Sequence, residues 1–361
     1  MDRLEAIRTF GNLTLNHPHL KVALQKMSLA VKQADRGSVI FMFGPTGVGK
    51  STLATHMCEK LDREFRIGGD YDGSNLPAAL TEAPSSDARQ FSWKDFYTRA
   101  LLGLREPLVD KKIDDPRCAA FKILDNYRPT GHALRMAFEN ALEYRKVQVL
   151  VIDEAHHIAK GTSVAGLKDQ LEYIKSLANL TETIIILVGT YDLLSFRNLS
   201  GQLSRRSLDV HFRRYSLNDP EEYRIFCGIV RSFANKLPIP CAFQMAEKIE
   251  DLYTGSLGCV GILSGWLIKA MTLAVEEGDG TLKMKDLEQS MYSHDQMSKM
   301  IDELLEGEQL MTPPKNSLRA LKARLGVAES VVASAGGPLK SVKKVKPFKR
   351  KPARDPVGLP A

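Results

Sequence analysis

Three short runs of the chain are almost continuously apolar: Ser38-Val-Ile-Phe-Met-Phe43, Val147-Gln-Val-Leu-Val-Ile152 and Thr183-Ile-Ile-Ile-Leu-Val188. Hydrophobicity that does not alternate predicts strands covered on both faces, as in a parallel sheet. Leu208-Asp-Val-His-Phe212 reads as a fourth, shorter strand. Between these runs apolar residues recur at helical spacing over Pro18–Gln33, from Lys50 to about Leu61, from Trp93 to about Leu102, from Thr130 to Tyr144 and from Leu167 to Leu180. Pro18 opens the first of these near its first turn, and Ser92 can cap the third. Strands alternating with helices predict an α/β fold, a parallel sheet with flanking helices and right-handed crossovers. Residues 70–90 and 105–128 are rich in turn-forming and polar residues and read as loop. From Asp219 onward the strand pattern stops, and helices are expected over 219–236, 241–253, 259–277 and 283–306. This divides the chain into an α/β domain with an N-terminal helix (1–217), a small α-helical lid (218–308) and a tail (309–361) expected to be disordered.

Charge sharpens that division. The formal net charge is +7, but residues 315–361 hold twelve of the 50 Lys and Arg and two of the 43 Asp and Glu, a local +10 against −3 for the rest. The tail run Lys340, Lys343, Lys344, Lys346, Lys349, Arg350, Lys351 and Arg354 contains no acid and suits a nucleic acid or an acidic surface. Apolar residues make up 43%, enough for a real core, and no stretch approaches the length of a membrane span. Met-Asp-Arg-Leu-Glu-Ala-Ile-Arg leads into no apolar segment, so a cytoplasmic protein without a signal peptide is expected. Cys58, Cys118, Cys227, Cys241 and Cys259 form no C-x-x-C pair and are expected to be reduced.

The first strand runs into Gly44, Pro45, Thr46, Gly47, Val48, Gly49, Lys50 and Ser51, which meet the pattern G-x-x-x-x-G-K-S, with Thr52 next. Strand, glycine-rich turn and helix are the context in which this pattern binds a phosphate chain. Glycines let successive backbone N–H groups point inward, Lys50 supplies a point charge, and the Ser51 hydroxyl suits magnesium. About a hundred residues later Asp153 and Glu154 close the second strand. Asp153 is expected to hold magnesium through water, and Glu154 to deprotonate the attacking water. ATP and Mg2+ are the implied ligands, and an ATPase is the implied enzyme. His156 and His157 follow, but adjacent residues on a helix share no face, so a metal pair is not expected.

With these pieces placed, residues from about 10 to 305 resemble the AAA+ superfamily, and within it the TnsC/TniB-type ATPases that regulate transposition. The likeness is carried by Asn16-His-Pro-His-Leu20, Val149-Leu-Val-Ile-Asp-Glu-Ala-His-His157, Leu187-Val-Gly-Thr-Tyr-Asp-Leu-Leu194 and Gln202-Leu-Ser-Arg-Arg206. It implies that Thr190 is sensor 1, and that Arg205 or Arg206 is an arginine finger reaching a neighbouring subunit's ATP. Gly255–Leu263 is similar to the start of the sensor 2 helix, yet Cys259, Val260 and Ile262 stand where many members carry arginine. The resemblance further implies a homo-oligomer, a ring or helical filament on double-stranded DNA, that links a target-selection protein to a transposase. Lys94, Arg99, Lys111, Lys112 and Lys122 are candidate DNA contacts, with Trp93, Phe96 and Tyr97 between them read as helix core. A helicase loader or replication initiator of related fold is the alternative, as is a nucleotide-switch scaffold that binds no DNA.

Overall fold

The computed structural model describes residues 2–68, 72–85, 91–112, 129–161, 163–199 and 209–311, together with 322, 324 and 325. Five strands form one sheet: β1 (Val39–Phe43), β2 (Ala78–Glu82), β3 (Val149–Asp153), β4 (Ile184–Gly189) and β5 (Asp209–His211). Their order is β2-β3-β4-β1-β5, and every neighbouring pair is parallel. β1, β3 and β4 are buried at every position, as their unbroken apolar runs predict.

The two-residue strand period sorts these side chains onto two faces. Val39, Phe41, Phe43, Leu150, Ile152, Ile185 and Leu187 enter one core with α4 (Trp93–Gly103), α5 (Gly131–Tyr144) and α7 (Val164–Thr181). Ile40, Met42, Val149, Val151, Ile184, Ile186 and Val188 enter the other with α2 (Pro18–Gln33) and α3 (Lys50–Gly68). The short helices α6 (His156–Ala159) and α8 (Leu194–Asn198) follow β3 and β4. Ser92 and Thr130 cap α4 and α5 through their side-chain oxygens.

A third core is mostly helical. It joins α9 (Pro220–Ala234), α10 (Ile249–Ser256), α11 (Val260–Glu276) and α12 (Met284–Ser290) to an N-terminal helix, α1 (Arg3–Gly11), through Ile7, Phe10, Phe226, Trp266, Leu267 and others. α13 (His294–Met311) leaves this module and returns to the sheet, with Leu304 buried among Val48, Val188, Phe212 and Cys259. By their contacts the described residues up to 311 fall in one compact unit.

Three expectations need correction, and one helix was not expected. β2 lies within 70–90, read as loop. Its Ala-Ala-Leu-Thr-Glu sequence has weak strand propensity, and pairing with β3 along an edge makes it a strand. Helix α1 carried no mark in the hydrophobic pattern. Within 241–253, Cys241 and Ala242 instead bridge to Leu282, and regular α-helix begins only at Ile249. The single helix expected over 283–306 is two. Ser293 Oγ accepts from the Gln296 N–H at 3.3 Å while Gln296 Oε1 accepts from the Ser293 N–H at 3.1 Å, a capping box that starts α13 afresh. Among the described residues no single helix is long and apolar enough to cross a membrane. α10 and α11 reach that length only across a 105° bend, and the apolar face of α11 is spent on the helical core. The expected tail at 309–361 lies almost entirely outside the described residues.

Candidate nucleotide site

β1 delivers the chain into the P-loop at the carboxyl edge of the sheet. The Gly44 N–H donates to the Gly189 carbonyl of β4 at 3.3 Å, which ties the start of the loop to the neighbouring strand end. Gly47 and Gly49 have φ of +73° and +105°, a region costly for residues with a Cβ, and at Gly47 a Cβ would also lie 2.4 Å from Ile262. The loop is held from above by α11, whose Ile262 N–H donates to the Gly47 carbonyl at 3.2 Å. Lys50 opens α3 and is only 6% exposed; its Nζ donates to the Pro45 carbonyl at 2.9 Å. Burial lowers its pKa, opposed by Glu154 and then Asp153, so both acids act electrostatically on the lysine. A loop whose glycines take positive φ, a helix N-terminus and a lysine held by a neutral carbonyl form a cradle that fits a phosphate chain.

The acids arrive from β3, which is separated from β1 by β4. Asp153 is buried, and its Oδ1 accepts from the Glu154 N–H at 2.8 Å. Glu154 is a non-glycine residue at φ +52°, a strained geometry of the kind that gathers at functional sites. Its Oε2 lies 3.1 Å from His156 Nδ1. That contact lacks good hydrogen-bond geometry, since the nitrogen has no aligned partner, and it is best read as close approach. Burial, with help from His157, lowers the His156 pKa to about 4, so the ring facing the carboxylate is neutral. His157 Nδ1 lies 3.0 Å from the Ala83 carbonyl. Among the described residues no group of three or more His, Cys, Asp or Glu side chains could hold a metal. The donors present, an exposed Ser51 hydroxyl and the Asp153 carboxylate beside a phosphate cradle, suit magnesium, which binds few protein ligands and keeps water and phosphate oxygens.

Thr190 stands directly after β4, and its Oγ1 donates to Asp192 Oδ2 at 3.3 Å. Arg205, Arg206 and the whole Gln202–Arg206 segment lie outside the described residues. So does Lys122. Lys94 is exposed on α4, whereas Arg99 pairs with Asp95 at 3.1 Å and Lys112 with Glu106 at 3.3 Å. Lys111 ends the short 3-10 turn Val109–Lys111. Phe96 and Tyr97 are fully buried and Trp93 packs on them, so these rings are core. Cys58, Cys227, Cys241 and Cys259 are free thiols.

The linear pattern gave no sign of a cavity of about 450 Å³ beside the P-loop. Leu13 and His17 line it from the α1–α2 connection, Val48 and Phe212 from the sheet side, and Gly261 and Ile268 from α11. Its volume and mixed lining suit a nucleoside. Gly261, Ser264 and Gly265 on one side of α11 line the space with small side chains.

A family model described as an AAA domain matches residues 33–196. Together with the parallel five-stranded sheet and its flanking helices, this makes the fold that of an AAA+ P-loop NTPase. No curated protein matches the chain. Among solved structures, the ORC2 protein of Aeropyrum pernix in ADPNP–ADP complexes is 14% identical, over 78% of this chain and 71% of its own, with a TM-score of 0.47. A Walker-type ATPase of Pyrococcus abyssi is 16% identical, over 84% of this chain and 75% of its own, at 0.45. The Drosophila ORC bound to DNA is 12% identical, over 90% of this chain and 84% of its own, at 0.45.

Proposed function

We propose that this AAA+ protein is an ATPase that binds ATP with magnesium at Gly44–Thr52, its base in the cavity under α11. The observation that carries this reading is Lys50, buried, bonded to the Pro45 carbonyl, and drawn electrostatically toward Glu154 and Asp153. Lys50 contacts the β- and γ-phosphates. Ser51, and Asp153 through water, would hold the magnesium, which would neutralise phosphate charge. Glu154 takes the proton of the attacking water, and Thr190 orients that water or the γ-phosphate. Arg205 or Arg206 reaches the site of a neighbouring copy, so hydrolysis depends on assembly. The domain plan that goes with this is 1–217, 218–308 and 309–361.

The finer reading is a transposition regulator. The protein assembles as a ring or filament on double-stranded DNA and joins a target-selection protein to a transposase. The sequence likeness to TnsC/TniB-type ATPases and the +10 tail support it. Duplex contact runs through the tail and exposed Lys94 ahead of the paired Arg99 and Lys112. A replication initiator or helicase loader is the competing reading of the same fold. The deciding experiment is sedimentation of the purified full chain with duplex DNA and ATP. Large assemblies that dissolve on hydrolysis are expected; a chain that stays monomeric with both rules the assembly reading out. Co-sedimentation with a replicative helicase instead of a transposase would select the loader.

A further inference from the structure

A second cation, largely withdrawn from water, stands beside the P-loop, and the nucleotide chemistry above leaves it without a task. The Phe212 carbonyl lies where a Cβ on Gly44 would be, 2.4 Å away, and the Tyr215 N–H donates to the Gly258 carbonyl at 3.0 Å. Residues 212–215 therefore run between the first residue of the P-loop and the turn that starts α11. Arg214 sits in that passage, its side chain 14% exposed. Burial pushes the Cys259 thiol up to about 12, opposed by Arg214 and then by Lys50, so one thiol lies within electrostatic reach of both cations.

Arg214 is engaged by the returning helix. Its Nε and Nη2 donate to the two carboxylate oxygens of Glu308 at 3.1 and 3.2 Å, and its Nη1 donates to the Tyr253 hydroxyl at 2.7 Å. That fork takes the bidentate geometry a guanidinium also offers to phosphate. Two further contacts seat the same end of α13 at the nucleotide edge. Gly307 rests on the ring of Tyr191, the residue after Thr190, so closely that a Cβ would fall 2.0 Å from Cδ2. Arg197 reaches the Met311 sulfur at 3.7 Å.

We propose that Arg214 is a further phosphate-binding residue of the nucleotide site, and that α13 withholds it through Glu308. Helix docking and the terminal phosphate of ATP then compete for one guanidinium. ADP, one phosphate shorter, leaves the latch closed, and ATP opens it. This rests on the reading of Gly44–Thr52 as an ATP site.

Calorimetric titration of the full chain with Mg-ATP and Mg-ADP tests it. Glu308→Gln removes the competing charge, and Gly307→Ala pushes α13 off Tyr191 with Arg214 and Glu308 intact. Each is expected to tighten ATP about tenfold, within the usual range of coupling between sites, and to leave ADP unchanged. Adding Arg214→Ala to either variant is expected to abolish the gain. An ATP-to-ADP preference unchanged in both variants, or a gain that survives Arg214→Ala, overturns the proposal. Hydrogen exchange in the wild-type chain gives a readout that needs no variant: residues 294–311 should exchange faster with a slowly hydrolysed ATP analogue than with ADP, and equal exchange overturns the latch. Lys50→Ala separates the two ideas. If it binds both nucleotides normally, the ATP site itself is wrong and the latch falls with it; if it loses both while Glu308→Gln and Gly307→Ala do nothing, only the latch fails.

Discussion

Lys50 and Arg214 are both withdrawn from water beside the same loop, yet their partners differ in kind. Lys50 rests on a neutral carbonyl of its own loop, five residues back. Arg214 is gripped by a carboxylate 94 residues ahead, on a helix that must fold back to reach it. Exchanging a carbonyl for a phosphate needs no other part of the chain to move. Exchanging Glu308, whose side chain is 27% exposed, for a phosphate gives up a bidentate ion pair between distant parts of the chain, so the helix that carries it is involved too. The difference separates a cation built to receive ligand from one tied to the conformation of the chain.

Substitutions at both cations and their neighbours test this contrast. The largest effect is expected from Glu154→Gln, which removes the general base and leaves the cradle intact. ATP hydrolysis should fall about 10²- to 10⁴-fold with nucleotide affinity retained, and single-turnover assays of wild type and variant check it. Lys50→Ala should weaken ATP binding about 10- to 100-fold, the scale of a lost charge-assisted hydrogen bond, as read by calorimetry. If Arg214→Ala in the wild-type background weakens ATP as much as Lys50→Ala does, Arg214 is already free and the contrast collapses; a small effect is expected. Gly49→Ala, at φ +105°, should lower the unfolding midpoint by strain of about 1–3 kcal/mol as well as impair binding, which thermal melts with and without ATP would separate.

The smallest effect concerns pH. Burial holds the imidazoles of His17, His156 and His211 near pKa about 4, against an ordinary 6.5, so each is neutral in the folded chain. The unfolded chain takes up these protons first as pH falls. The stability they contribute is thus complete above 6.5 and is lost progressively between 6.5 and about 4. His17 lines the proposed base cavity and bonds the Tyr215 hydroxyl through Nδ1 at 2.9 Å. Melting temperatures should therefore be flat from pH 8 to 7 and drop toward pH 4.5. A His17→Phe variant that keeps the full slope would remove His17 from that account.

Much of this was readable in the linear pattern. The runs at β1, β3 and β4 are so uniformly apolar that only burial on both faces accommodates them, and G-x-x-x-x-G-K-S after such a run leaves little choice of backbone. The cap at Ser92 is local chemistry and was legible too. β2 was not, because alanine and glutamate make a strand only when a neighbour supplies the hydrogen bonds. Nor was the break before α13, although Ser293 and Gln296 carry its capping signal, since the apolar spacing runs straight through it.

Local preferences and periodicity thus settled which segments are strands and helices around the P-loop, and which residue types stand at the phosphate end, because those properties depend on neighbours a few positions away. Where β4 inserts between β1 and β3, how Leu13, Val48 and Ile268 enclose one cavity, and that Glu308 meets Arg214 were decided by packing alone. These pairings join residues tens to hundreds of positions apart, and nothing in the spacing of either partner specifies the other.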